Sequence, residues 1–117
     1  MENVIEGNKL ILEFEGYEHI SDDPETYHDG YYYKKGDGVE YIKDCLFHES
    51  WDWLMPIIDK IRNDSKVIAF EICFSLGVIV KVFYNKEWHF YESNDMIEAP
   101  YVAVIDYIKW YNNEQIN

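Results

Sequence analysis

The sequence predicts an α+β fold: a small antiparallel three-stranded meander sheet over about residues 66–92, packed by helices over about residues 52–63 and 99–112. Two observations predict it. From Trp51 onward, apolar residues recur at the i, i+3, i+4, i+7 spacing of one helical face. Residues 66–92 contain three runs rich in β-branched and aromatic residues, separated by short polar breaks. At 117 residues, the chain fits a single domain over residues 1–117.

The elements that precede the sheet are predicted from cap and turn residues. Asn8 is suited to cap a short helix that Gly16 would end, although a strand is also compatible with this segment. Residues 18–30 are polar and contain a proline, which is typical of a surface loop. Lys35-Gly36-Asp37-Gly38 then separates two aromatic or β-branched runs, so we expect a β-hairpin over about residues 31–43.

The helix over about residues 52–63 carries two tryptophans and a proline. Its predicted inward face comprises Trp51, Leu54, Met55, Ile58 and Ile61. Trp53 falls at the edge of that face, and Ser50 or Asp52 can cap the helix. Pro56 is tolerated if the regular helix starts near Trp53, and it kinks the helix if the start is earlier.

Two three-residue turns, at 75–77 and 85–87, are predicted to connect the three strands, with Gly77 in a left-handed bulge position. The resulting pairs are Phe74 with Val78, Ile72 with Val80, Phe70 with Val82, Val82 with Phe90, and Tyr84 with Trp88. The opposite face then carries Glu71, Lys81 and Tyr91 in one row. A two-residue turn would move Lys81 onto the apolar face, which argues against it.

The final helix is predicted from Pro100, which suits a first helical turn. Its inner face would hold Tyr101, Val104, Ile105, Ile108 and Tyr111. Trp110 lies on the other side and is expected to be the most exposed tryptophan of the chain.

Composition and charge exclude several classes of protein. Twenty-three acidic residues against ten basic ones give a net charge of −13, which disfavours direct binding to DNA or to an anionic membrane. The first residues lack a basic stretch followed by an apolar run, and no segment approaches the roughly 18 apolar residues of a membrane span. Cys45 and Cys73 lack a C-x-x-C spacing, so we expect two reduced, partly buried thiols in a cytoplasm.

Three stretches resemble a known group of proteins. They are NKLILEFEGY at 8–17, SWDWLMPIIDKI at 50–61 and IEAPYVAVIDYIKWYN at 97–112. They are similar to short proteins from phages and mobile elements of gut bacteria, related to the phage ABA sandwich domain. The resemblance implies a phage origin and helices that cover a small antiparallel sheet. It supplies no catalytic residues.

Metal and catalytic motifs are weak. His48-Glu49-x-x-Asp52 has a ligand-like spacing, but acids and hydroxyls at this position also stabilise a helix N-terminus, and that interpretation is favoured. The acidic run from His19 to Asp29 contains oxygen and imidazole ligands but lacks the pattern of a calcium loop, which favours a solvated loop. No nucleophile elbow or phosphate loop is present. We therefore expect a non-enzymatic protein without a metal or cofactor.

The functional hypothesis is an acidic, phage-encoded inhibitor of a host defence protein. Residues 13–29 contain seven acids and no Lys or Arg, and three tyrosines follow at once. Carboxylates can imitate phosphates in a basic nucleic-acid channel, for example that of a CRISPR nuclease, and tyrosines supply contact area. The predicted partner-binding residues are Glu18, Asp22, Asp23, Glu25, Asp29, Tyr31, Tyr32, Tyr33 and Trp110.

The alternative hypothesis is a sponge protein for a nucleotide signal. Its ligand would lie between a helix and the row formed by Glu71, Lys81 and Tyr91. The same row is also explained as an ordinary cross-strand charge pair. The sequence does not determine the oligomeric state.

Overall fold

The computed structural model describes residues 4–20 and 32–116. By their contacts the residues group into two compact units, Met1–Leu46 (the N-terminal unit) and Phe47–Asn117 (the C-terminal unit). The described residues contain three α-helices and two three-stranded antiparallel sheets, which confirms the predicted α+β class. None of the helices in these ranges has the length and apolar content that crossing a membrane requires. The assignment of one domain stays a prediction.

The N-terminal unit contains one helix and one small sheet. Its elements are α1 (Val4–Phe14), β1 (Glu18–Ile20), β2 (Tyr32–Lys35), β3 (Gly38–Tyr41) and a 3₁₀ helix (Ile42–Asp44). The strands pair in the order β1-β2-β3. The predicted hairpin is confirmed as β2 and β3, with Gly36 at φ 59° in its turn.

Helix α1 is longer than predicted. It begins at Val4, so Asn8 lies inside it rather than at its cap. Asn8 is only 1% exposed, and its Nδ2 donates a hydrogen bond to the carbonyl oxygen of Cys45 at 3.2 Å. Gly16 follows the helix at φ 95°, as predicted for its stop.

The loop predicted over residues 18–30 is wrong at its start. Glu18–Ile20 form strand β1, which pairs with β2 from Glu18 opposite Lys34 to Ile20 opposite Tyr32. The remaining residues of that segment lie outside the described residues.

The C-terminal unit is a meander sheet with two helices. Its elements are α2 (Trp51–Arg62), β4 (Val67–Phe74), β5 (Val78–Tyr84), β6 (Glu87–Ser93) and α3 (Glu98–Ile116), with strand order β4-β5-β6. Both predicted helices and all three predicted strands are confirmed.

Helix α2 begins at Trp51. A start near Trp53 would have accommodated Pro56 without disturbing the helix. Pro56 lies inside the helix and cannot donate to the carbonyl four residues earlier. Met55 is 43% exposed, and Ile57 is buried, so the inward face is rotated from the predicted one. The Trp51 ring is half-buried and meets the Phe74 ring edge-on at 6.1 Å.

Helix α3 is capped by residues that precede it. The Oδ1 of Asp95 accepts hydrogen bonds from the N–H groups of Ile97 at 2.8 Å and Glu98 at 3.0 Å. The Oγ of Ser93 accepts from the N–H of Ala99 at 3.1 Å. These bonds satisfy donors that the first helical turn leaves without partners. The end of β6 is thereby tied to the start of α3.

The core of the C-terminal unit lies between one face of the sheet and the two helices. The residues of this face on β5 are Val78, Val80, Val82 and Tyr84, each no more than 3% exposed. The helices contribute the buried side chains of Leu54, Ile58, Ile61, Val104, Tyr107 and Ile108. We call this side of the sheet the inner face.

Candidate functional site

The opposite side of the same sheet is open and is the candidate site. Pairing across the strands gives it three rows, Ala69-Phe83-Trp88, Glu71-Lys81-Phe90 and Cys73-Ile79-Glu92. We call these nine residues the outer face. Phe90 is 64% exposed, Trp88 42% and Ile79 37%. An apolar surface of this kind, bordered by charged groups, is typical of protein interaction sites.

The aromatic side chains of the outer face contact one another. The Phe83 and Trp88 rings meet edge-on with centroids 5.1 Å apart, and the Trp88 and Phe90 centroids are 6.4 Å apart. The backbone beneath these rings is a regular sheet, so no backbone segment has to be ordered before a partner could contact them.

The turn between β5 and β6 determines which residues reach this surface. Tyr84 pairs with Glu87, so the turn contains only Asn85 at φ 54° and Lys86 at φ 66°. Two positive φ values in a two-residue loop define the turn that matches strand twist. The predicted three-residue turn is therefore wrong.

This turn shifts β6 by one residue, which exchanges its two faces. The first hairpin has the predicted register, with Phe74 opposite Val78. In the second hairpin, Phe90 lies opposite Lys81 and Trp88 opposite Phe83. Sequence reasoning placed both aromatic side chains on the buried side and so missed them as surface residues. Trp88 and Phe90 alternate with His89 and Tyr91, and such alternation is typical of a buried aromatic face, so the pattern of β6 alone carried no signal of exposure.

The predicted ligand row is not formed. Glu71 and Lys81 are paired and exposed, but Tyr91 lies opposite Val80 on the inner face. Burial, followed by the charges of Tyr84 and Asp106, raises the pKa of Tyr91 well above its ordinary value. Because Tyr91 is on the other side of the sheet, the alternative hypothesis loses the geometry on which it depended. Whether Glu71, Lys81 or Tyr91 binds a ligand stays untested.

Trp110 belongs to an aromatic cluster against the inner face. Its ring centroid is 5.0 Å from that of Tyr84 and 5.7 Å from that of Tyr107. The His89 ring stacks on Tyr84 at 4.0 Å, with 11° between the planes. Trp110 is half-buried, whereas Trp88 is 42% exposed, so the predicted exposure of Trp110 is wrong.

The predicted acidic and tyrosine-rich surface is only partly described. Glu18 is exposed and pairs across the sheet with Lys34, an opposite charge. Tyr33 is 2% exposed, and its ring lies 5.4 Å from that of His19. The Tyr33 side chain is therefore not on the surface of the protein, and whether the predicted residues bind a partner stays untested. The predicted residues outside the described ones are Asp22, Asp23, Glu25 and Asp29, together with Tyr31 and the side chain of Tyr32.

The described residues hold no group of three or more His, Cys, Asp or Glu side chains that could bind a metal ion. His48 Nε2 lies 3.7 Å from Glu49 Oε2, and Asp52 is in the first turn of α2. This agrees with the helix N-terminus interpretation of these acids. Most of the His19 to Asp29 run lies outside the described residues.

The two cysteines differ in environment, and both are free thiols. Cys45 is buried, and its Sγ donates to the carbonyl oxygen of Tyr41 at 3.7 Å. Burial, with smaller contributions from Glu40 and Asp44, raises the pKa of Cys45 to about 12. Cys73 is exposed on the outer face, so the expectation that it is partly buried is wrong.

An open depression of about 540 Å³ lies beside the first hairpin turn. Its lining consists of residues 75–79 and 92–94. It contains Glu92 and no Lys or Arg. This composition gives no support to a nucleotide phosphate as its ligand.

Comparisons of the chain with protein-family models, with curated proteins and with solved structures find no match. The resemblance to the phage ABA sandwich domain therefore stays a prediction. The outer face is interpreted from its own geometry.

Proposed function

We propose that the protein is a non-enzymatic interaction protein that binds a basic partner protein through the outer face of its C-terminal sheet. The observation that carries this proposal is the exposure of Trp88, Phe90 and Ile79 on a regular sheet surface. Aromatic residues of this kind supply most of the binding energy in many protein interfaces.

The charge of the molecule favours a basic partner. Residues 47–116 contain eleven acidic and six basic residues. On the outer face, Glu71 and Glu92 are exposed beside a single Lys81. A partner that carries Lys or Arg around an apolar centre would match both the rings and the carboxylates.

The inhibitor hypothesis is a specific form of this proposal. A host defence protein with a nucleic-acid channel presents basic residues, and an acidic phage protein bound over that channel would block it. Because Trp88 and Phe90 are exposed whereas Tyr33 is buried and Trp110 half-buried, we propose Trp88 and Phe90 as its contact residues in place of Tyr33 and Trp110. The net charge of −13 supports this form of the proposal.

A capture experiment tests the proposal. Immobilised wild-type protein is incubated with a bacterial lysate at low and high salt, beside the Trp88→Ala/Phe90→Ala double variant. We expect a basic protein to be captured at low salt, released at high salt, and reduced at least about tenfold by the double variant. Direct binding is then measured with the purified partner.

Two matched controls show whether the outer face is responsible. Leu76→Ala removes a fully exposed apolar side chain outside it, and Glu114→Gln removes an exposed charge on α3. Both should bind as the wild type does, whereas Glu71→Gln/Glu92→Gln should weaken the salt dependence. A captured set unchanged by every outer-face variant would contradict the proposal.

A further inference from the structure

One edge of strand β6 is not paired with any strand of the described residues. Among the described residues, β5 is the only strand that pairs with β6. Because Tyr84 and Glu87 flank a two-residue turn, Glu87, His89, Tyr91 and Ser93 exchange hydrogen bonds with β5. The N–H and C=O groups of Trp88, Phe90 and Glu92 therefore point away from the sheet.

This edge lacks the features that usually protect a sheet edge. Bulges, prolines, lysines and very short strands prevent edge pairing. Strand β4, at the opposite edge, has an irregularity between Val67 and Ala69. Strand β6 runs regularly over the seven residues Glu87–Ser93, EWHFYES, with no proline, glycine or lysine. Its charged residues lie near the two ends, and its centre is aromatic.

We propose that two copies of this protein join through their β6 strands, antiparallel about a two-fold axis at Phe90. In this register Phe90 pairs with Phe90 of the second copy, Trp88 with Glu92, His89 with Tyr91, and Glu87 with Ser93. All seven residues pair, and no carboxylate lies opposite another. A two-fold axis at Glu92 would place two carboxylates opposite each other, which is destabilising.

The outward-pointing backbone groups fit the same register. Trp88, Phe90 and Glu92 of one copy pair only with Trp88, Phe90 and Glu92 of the other, so each exposed donor meets an exposed acceptor. The interface is self-complementary, as two-fold symmetry requires. It produces a six-stranded sheet and brings two outer faces together as one continuous surface.

This inference is independent of the basic partner proposed above. The two proposals are distinguished by the direction in which salt changes binding. Each copy has a net charge of −13, so two copies repel one another at low ionic strength. Salt screens that repulsion and should strengthen dimer formation, whereas it weakens the binding of a basic protein.

Sedimentation velocity of the purified protein tests the inference over a concentration series at about 50 mM and about 500 mM NaCl. We expect the 14.1 kDa chain to sediment as a species of twice that mass, with a lower dissociation constant at high salt. Phe90→Pro removes one outward N–H, which a free edge tolerates, and should raise the dissociation constant at least about tenfold. Phe90→Val keeps this N–H and should retain more of the dimer. A wild type that is monomeric throughout the series, or a folded Phe90→Pro that dimerises fully, overturns the inference.

Cross-linking gives a decision even if Phe90→Pro fails to fold. In a Cys73→Ser background, Phe90→Cys places a thiol at the proposed two-fold axis. Ile68→Cys places one at the β4 edge, where Ile68 is 78% exposed. A short bismaleimide should link Phe90→Cys chains into covalent dimers and leave Ile68→Cys chains single. Equal cross-linking of both variants contradicts pairing through β6.

Discussion

The inner and outer faces of the C-terminal sheet have similar apolar content but different surroundings. On β5 the inner side chains Val78, Val80 and Val82 are at most 1% exposed, because α3 packs against β5 and β6 and α2 packs beside it against β4. On the outer face Ile79, Trp88 and Phe90 are 37–64% exposed. Two helices are enough to cover one side of this sheet. The uncovered side combines exposed aromatic residues with Glu71, Lys81 and Glu92, and this combination is the basis of the proposal that a partner binds there.

The largest expected effect on stability comes from a substitution in helix α2, which helps to cover the inner face. Leu54 is 0% exposed, so Leu54→Ala should lower the free energy of unfolding by about 2–5 kcal/mol. Its neighbour Met55 is 43% exposed, and Met55→Ala should cost less than about 1 kcal/mol. Urea denaturation of both variants measures the difference. Similar losses would mean that α2 does not seal the inner face as described.

High pH should destabilise the inner face. Tyr91 has a raised pKa in the folded chain, so its contribution is complete below the ordinary value of 10.0 and is lost as pH rises above that value. Tyr91→Phe should flatten the decline of unfolding free energy above pH 10 by up to about 1.4 kcal/mol per pH unit. Urea titrations between pH 8 and pH 11 measure this slope, with Phe90→Ala as the outer-face control. Identical slopes in wild type and Tyr91→Phe would contradict the prediction.

A close backbone contact joins β6 to the first hairpin turn. Gly77 does not have a positive φ, contrary to the predicted bulge; instead, a Cβ there would lie 2.7 Å from the carbonyl oxygen of Ser93. Gly77→Ala should therefore cost about 1–3 kcal/mol, because backbone must move. Leu76→Ala, next to it and fully exposed, should change stability by no more than about 0.5 kcal/mol. Thermal unfolding measures the stability of both variants. A Gly77→Ala variant as stable as the wild type would contradict the prediction, because it would show that the backbone at Ser93 moves at little cost.

The smallest expected effect on stability concerns the turn between β5 and β6, which determines which β6 side chains lie on the inner and outer faces. Lys86 is held at φ 66°, which strains a side chain but not glycine. Lys86→Gly should stabilise the fold by about 0.5–1 kcal/mol, and Asn-Gly is the preferred pair for this turn. Lys86→Ala keeps the strain and should give no such gain. A stability loss in Lys86→Gly would count against the two-residue turn and against the exposure of Trp88 that follows from it.

The sequence was sufficient for the existence of the helices and for the register of the first hairpin, where the apolar spacing of β4 and β5 agrees with a three-residue turn, although Gly77 lacks the predicted positive φ. It was insufficient for β6 because the outer positions of β5 hold Ile79 and Phe83 beside Lys81, so β5 does not determine which face of β6 is apolar. Lysine is also not a residue type that indicates a positive φ, so Lys86 did not point to the two-residue turn. Consecutive side chains of a strand alternate between its two faces, which the prediction of an exposed tyrosine cluster did not consider, and Tyr33 on β2 is buried. Helix α3 buries residues on several sides, including Ala103, Ile105 and Tyr107, so no single stripe could assign Trp110.

The unequal cysteines provide a ready spectroscopic label. Cys73 is accessible on the outer face, while Cys45 is buried with its pKa raised to about 12, so a maleimide dye at neutral pH should attach to Cys73 alone. The dye would then sit beside Ile79 and change its emission when that surface is covered. The native chain therefore already contains a fluorescent reporter position for whatever binds there.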